Sequence, residues 1–149
     1  MSDEAATRDV PERWLRVTRT RERVQEHELA VAEAEAERRR QSLAELDARH
    51  DQELREVSAG RTGLVSTAEL MLVSDGLAVS VERRGDLVAA VEKAKPAVDS
   101  AIAALREASR ARLVAEKWRD EKRAQWLKEV DRKRDRAQSD RFGAGQSRE

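Results

Sequence analysis

Four valines, Val10, Val17, Val24 and Val31, recur at every seventh residue. Seven residues are close to two turns of an α-helix, so side chains at that spacing lie along one stripe of a helix. The composition agrees with a long helix. Ala, Arg and Glu dominate, and these are strong helix formers. The 149 residues include six Gly, two Pro and only 3% aromatics. A sandwich, a barrel or a doubly wound sheet needs turn residues about every 8–12 positions, which this chain does not supply. Charged residues make up 40% of the sequence. High charge with low hydrophobicity also describes disordered chains, and the periodicity is what favours helix over disorder here.

The periodicity continues along the chain with changes of phase. After a polar stretch from Glu35 to Gln41, Leu43, Leu46, His50 and Val57 resume a seam at spacings of three, four and seven. In the second half Val91, Val98, Ile102, Leu105, Trp126, Val130 and Ala137 share one register. Ser109, Arg112, Glu116, Arg119 and Arg123 interrupt that register with polar residues. Acid-first pairs four apart, Glu12 with Arg16, Glu35 with Arg39, Glu45 with Arg49, Asp51 with Arg55 and Glu129 with Lys133, support both helices. Each such pair contributes roughly 0.2–0.5 kcal/mol.

These signals predict a single coiled-coil domain over residues 1–149. A first helix is expected over about 11–57, with Pro11 in its first turn, where a missing N–H costs nothing. Gly60 and Gly63 mark a break. Ser66 to Glu69 has the capping-box pattern that starts a helix. The mid-segment 58–85 contains the least charged stretch, Leu64 to Val81, weakened by Gly76 and Gly85, and a short or broken helix is expected there. A second helix is expected over about 86–141, with Asp86 as its cap and Pro96 either kinking it or marking its true start. Residues 142–149 read as a disordered tail. Neither helix can bury a narrow stripe alone. The expected fold is therefore all-α, a long antiparallel two-helix coiled-coil hairpin with the apolar middle at or near its turn. A homodimer of longer parallel helices is the rival, and the mid-chain glycines favour the hairpin.

Several functions are excluded on the same grounds. The chain has no Cys, so disulfide frameworks and thiolate metal sites are out. The longest apolar runs, Leu87 to Val91 and Ala101 to Leu105, are too short to span a bilayer. The first residues have no apolar stretch of the kind a signal peptide needs, and a cytoplasmic protein is expected. His27 and His50 are too far apart on one helix to share a metal. Gly60-Arg-Thr-Gly63 lacks the Lys-Ser/Thr of a phosphate-binding loop. Carboxylates are abundant and many have a base at helical spacing, the pattern of a solvated, salt-paired face. No catalytic residue, cofactor or metal is expected, and the chain does not read as an enzyme.

Charge is unevenly spread within a net of zero. Residues 26–37 hold Glu26, Glu28, Glu33, Glu35 and Glu37 and no Lys or Arg. Residues 110–141 hold twelve Lys or Arg against seven acids. That basic arm suits docking to an acidic protein surface. Binding to nucleic-acid phosphates ranks lower, because Asp120, Glu121, Glu129, Asp131 and Asp135 would repel phosphate. An ordinary solvated face is the plain alternative. Separately, Leu70, Val73, Leu77 and Val81 form one stripe if helical, with Met71, Leu72 and Ala78 beside it. Such a surface either packs at the hairpin turn or marks a partner site.

The opening RWLRVTRTRERVQEHELAVAEAEAER, Arg13 to Arg38, resembles the start of the flagellar export protein FliJ family. The closing AEKWRDEKRAQWLKEVDRKRDRAQSDRF, Ala115 to Phe142, is similar to that family's C-terminal block. It ends on Gln138, Ser139, Asp140 and Arg141, with Arg where the family carries Glu. The injectisome stalk proteins (YscO/SctO) share the same outline. The resemblance implies an antiparallel two-helix coiled coil like the central stalk of rotary ATPases. It implies that the terminal end enters the hexameric export ATPase (FliI-like) and promotes its assembly. It also implies contacts with the export gate protein (FlhA-like) and, in some members, with export chaperones, at the cytoplasmic face of the membrane through those partners. On this resemblance Lys117, Arg119, Lys122, Arg123, Arg132, Lys133 and Arg136 would face the ATPase. Leu70, Val73, Leu77 and Val81 would face the gate. A generic coiled-coil scaffold or adaptor is the competing reading.

Overall fold

The computed structural model describes the backbone of residues 2–59 and 66–146 and the side chains of residues 9–59 and 66–141. The described residues form two long helices and no strand: α1, Ser2–Ala59, and α2, Thr67–Gln146. The two helices pack against each other, and the fold class is all-α. The contacts divide into two compact units. Residues 1–25 with 105–149 make unit 1, and residues 26–104 make unit 2.

In unit 1 the helices run antiparallel. Trp14 meets Trp118, Arg19 meets Glu116, and Glu22 meets Arg112, so the α2 number falls as the α1 number rises. The core is narrow. Leu15 and Ala115 are fully buried at 1% and 0% exposure, with Thr18 beside them at 2%. Burying a leucine side chain stabilises by roughly 1.5–3 kcal/mol. Thr18 is accommodated because its hydroxyl donates to the Leu15 carbonyl at 3.0 Å, so no polar atom is stranded.

Unit 2 is also antiparallel. Arg39 donates to the carbonyl of Ala90 at 3.0 Å, and Arg84 pairs with Asp47 at 2.8 Å. That register sets Ala36 level with Ala94, and these two alanines are the buried apolar residues of this unit. Leu43, Leu46, His50 and Val57 are half-buried, in the phase expected from the sequence. On α2 Val91 and Val98 are half-buried, as is Ile102.

The valine stripe departs from expectation. Val10, Val17, Val24 and Val31 do share one stripe of α1, but each is about half exposed, 47–51%. The packed face lies one step round the helix. In unit 1 it carries Pro11, Leu15, Thr18, Glu22 and Gln25. A seam needs two columns, alternating three and four apart. The valines' partners at that spacing include Arg13, Thr20, Arg21, His27 and Glu28, so the stripe has no second apolar column.

α2 supplies the complementary face, and the signal for it was overlooked. Ala94 and Ala101 in unit 2, and Ala108 and Ala115 in unit 1, recur every seven residues and are all buried or half-buried. Alanine lets the facing backbone approach closely, which leaves room for few large side chains between the helices. Within unit 1 the expected polar interruptions Ser109, Arg112, Glu116 and Arg119 are half-buried rather than pushed into solvent. Trp126 and Ala137 stay exposed and Val130 is half-buried.

The helix bounds also differ: α1 begins at Ser2, so Pro11 lies inside it and not in its first turn. Gly60 and Gly63 lie outside the described residues. α2 begins at Thr67 and continues through Gly76, Gly85, Asp86 and Pro96 without interruption. Its start is the capping box expected at Ser66. The Ser66 N–H donates to the Glu69 carboxylate at 2.9 Å, and the Glu69 N–H donates to the Ser66 hydroxyl at 3.2 Å. Asp86 is therefore an interior helix residue and caps nothing. Pro96 removes one helical hydrogen bond, and it does so on a stretch where Glu92 and Pro96 are both exposed. At the other end α2 continues to Gln146, through residues expected as a tail. Of the acid-first pairs, Glu35–Arg39 and Glu45–Arg49 form at 3.0 and 3.7 Å. Arg16 instead reaches Asp9, at 3.8 Å.

Gly76 and Gly85 have helical backbone and nothing within 4 Å of an added Cβ. A glycine in a helix interior costs about 0.5–1 kcal/mol relative to alanine. Gly76→Ala and Gly85→Ala should each raise stability by about that amount, read as a higher urea midpoint at unchanged slope.

Candidate functional site

Chain reversal brings the sequence-distant aromatic residues of unit 1 together. The chain has three Trp and one Phe. Trp14 of α1 and Trp118 of α2 pack edge to face, with ring centroids 5.6 Å apart and planes at 79°. Such a pair is worth about 0.5–1.5 kcal/mol beyond its burial. Val10, Trp14, Val114, Lys117, Trp118 and Glu121 line an open groove of about 640 Å³ over this pair. Val10, Val17 and Val114 are 48%, 47% and 58% exposed. One side of unit 1 is thus apolar, with Lys117 and Glu121 at its rim 3.9 Å apart.

Another side of the same unit is polar. Glu22 accepts from the Ser109 hydroxyl at 2.7 Å and pairs with Arg112 at 2.6 Å. Arg112 also holds Glu116 at 2.9 Å, and Arg19 reaches Glu116 at 3.2 Å. Glu22, Ser109, Arg112 and Glu116 are half-buried and Arg19 is exposed, and their geometry requires one alignment of α1 on α2. Hydrogen bonding from Arg19, then from Arg112, holds the Glu116 carboxyl below its ordinary value. The hydrogen bond to Glu116 raises the Arg112 guanidinium in turn. In unit 2 the Arg39 hydrogen bond and the nearby Arg38 charge lower the Glu35 carboxyl.

A second groove, of about 530 Å³, lies at the end of unit 1. Arg119, Lys122, Arg123, Trp126 and Lys133 line it with Pro11, Glu12 and Glu129. Four of the predicted ATPase-facing bases, Arg119, Lys122, Arg123 and Lys133, are therefore gathered round one concavity. Lys117 lies instead on the apolar groove. Arg132 and Arg136 are exposed and line neither groove. Arg119 is tied to Asp120 at 2.7 Å, and that hydrogen bond raises its guanidinium.

The predicted gate-facing stripe is divided. Val73 and Leu77 are half-buried in the phase of the helix pairing. Leu70 and Val81 are exposed at 51% and 65%, beside Met71 and Leu72 at 65% and 74%. Among the described residues no group of three or more His, Cys, Asp or Glu is placed to hold a metal. No described helix is long and apolar enough to cross a membrane. The Trp14–Trp118 pair was not read from the sequence. Its signal was the placement of Trp14, Trp118 and Trp126 near opposite ends of a chain expected to double back. No family model, curated protein or solved structure matches the chain.

The lowered Glu116 and Glu35 carboxyls tie stability to acid. Their contribution is fully present above the unfolded value of about 4.3 and is lost as pH falls through the lower folded values. Thermal melts followed by circular dichroism should be nearly flat from neutral pH down to about pH 5 and fall below it. Glu116→Gln should melt lower at neutral pH and lose part of that acid dependence.

Proposed function

We propose that the chain is a non-enzymatic coiled-coil stalk of a type III protein export apparatus, flagellar or injectisome, that couples an export ATPase ring to an export gate. The observation that carries this reading is the basic groove at the end of unit 1. It joins Pro11 and Glu12 of α1 to the arm of α2 and presents Arg119, Lys122, Arg123 and Lys133 with Trp126. Bases around an exposed tryptophan suit an acidic, partly apolar protein surface, because Arg and Trp are favoured anchors in protein interfaces. The resemblance of Arg13 to Arg38 and of Ala115 to Phe142 to the FliJ family supplies the identity of that surface as the ATPase ring. The exposed Leu70, Met71, Leu72 and Val81 are the candidate gate contact, and export chaperones are candidate further partners.

The proposed mechanism needs no bound nucleotide on this chain. A helix pair held in one alignment makes unequal contacts with ring subunits in different states. It shifts the ring's equilibrium by the difference in those contacts. Membrane association then comes only through the partners.

Adding the chain to the cognate export ATPase should raise ATP turnover and hexamer yield. The double charge reversal Lys122→Glu with Arg123→Glu should abolish most of that gain while helix content stays unchanged. Unchanged turnover and hexamer yield with folded wild-type chain would leave an unrelated scaffold as the better reading. For the gate, Leu70→Asp with Val81→Asp should weaken capture of the gate protein without loss of helix. Leu77→Asp should instead lower stability, since Leu77 is half-buried.

A further inference from the structure

We infer that the chain associates with further copies of itself through charge, unit 1 of one copy lying against unit 2 of another. Folding sorts a sequence of zero net charge into two units of opposite sign. Unit 1 holds 20 Lys and Arg against 14 Asp and Glu, and unit 2 holds 10 against 16. With His neutral, the units therefore carry +6 and −6. The sorting is a product of the fold. Unit 1 joins both ends of the chain, so Arg13, Arg16, Arg19, Arg21 and Arg23 of α1 add to the basic arm of α2.

Much of the excess charge is exposed and free to act on another molecule. In unit 2 Glu26, Glu28 and Glu33 of α1 and Asp75, Asp86 and Asp99 of α2 are exposed, and none has a hydrogen bond or ion pair among the described residues. In unit 1 Arg132, Arg134 and Arg136 are likewise exposed and unpaired. These three lie outside the groove at Lys122, Arg123 and Trp126.

The two signs select the occupant. A single exposed ion pair contributes little, so the attraction has to come from the summed excess of each unit. A second copy offers each unit an excess equal in size and opposite in sign. Like units meeting would set +6 on +6 and −6 on −6, which opposes pairing of unit 1 with unit 1. A uniformly acidic or basic partner would match one unit and repel the other. Zero net charge also removes the long-range repulsion that a net-charged protein exerts on its own copies. The inference is independent of the export reading.

The test is sedimentation equilibrium of the full chain at sub-millimolar concentration across a salt series. Raising NaCl from about 20 mM to about 300 mM shortens the screening length from roughly 20 Å to about 6 Å. The expected result is reversible association at low salt, weakened at least about tenfold at high salt. Two triple variants remove the sorting from one side each. Glu26→Lys, Glu28→Lys and Glu33→Lys bring unit 2 to zero, and Arg132→Glu, Arg134→Glu and Arg136→Glu bring unit 1 to zero. Each triple should weaken low-salt association by about tenfold or more with helix content unchanged. All six substitutions in one chain restore zero net charge but leave both units neutral, and this chain should stay monomeric. It separates sorted charge from mere neutrality. A wild-type chain that is monomeric at low salt overturns the inference. So does association that salt leaves unchanged or strengthens, or a six-substitution chain that associates as the wild type does.

Discussion

The alanines that recur along the packed side of α2 limit what can be placed between the helices. Where Ala36 lies level with Ala94, and in the unit that completely buries Ala115 with Leu15 and Thr18, side chains this small fill little volume and allow the backbones to approach. Close approach gains dispersion contacts over the length of the pair. It also buries little apolar area at any one level. The helices therefore depend on many small contacts and not on a thick core. Large apolar residues that cannot enter such a narrow space, among them Val10, Trp14 and Val114, stay at its margin.

A narrow apolar seam specifies alignment weakly, because alanine layers resemble one another when the helices slide. The polar cluster of Arg19, Glu22, Ser109, Arg112 and Glu116 supplies what the alanines lack. Its bonds from Arg19 to Glu116 and from Ser109 and Arg112 to Glu22 cross between helices, and sliding by one turn would separate those three. A half-buried ion network contributes modestly to net stability because desolvation opposes the attraction. Its effect is greater on uniqueness, since a misaligned pair would leave these charges half-buried and unpaired. Arg39 on the Ala90 carbonyl and Arg84 on Asp47 have the same role in unit 2.

This division of labour explains which side chains are left exposed. In unit 1 the narrow core displaces tryptophan and valine to one side, and the polar cluster occupies another. The basic arm of α2 lines a groove with Pro11 and Glu12. The surface of unit 1 is thus sorted into an apolar side, an ion-paired side and a basic end. Such sorting follows from helix periodicity once the alignment is set.

Much of this was legible in the residues. Helix was readable from the sevenfold spacing and the scarcity of turn residues, the start of α2 from the Ser66–Glu69 pattern, and the half-buried positions from Leu43 to Val57 from their spacing. The valine stripe misled because periodicity identifies a helical face without saying what covers it. The glycines at 76 and 85 misled because their cost of about 1 kcal/mol each is too small to break a long helix. Only the tertiary structure decided which stripe of α1 is covered, since that depends on the alanine face and the ion cluster that α2 brings to it from roughly ninety residues away, as Glu22 and Arg112 show. The sequence by itself determined that the chain is helical and favoured one that doubles back. Three-dimensional pairing decided which side chains were spent on holding it together and which remained outside, because burial is a property of two surfaces and spacing is a property of one.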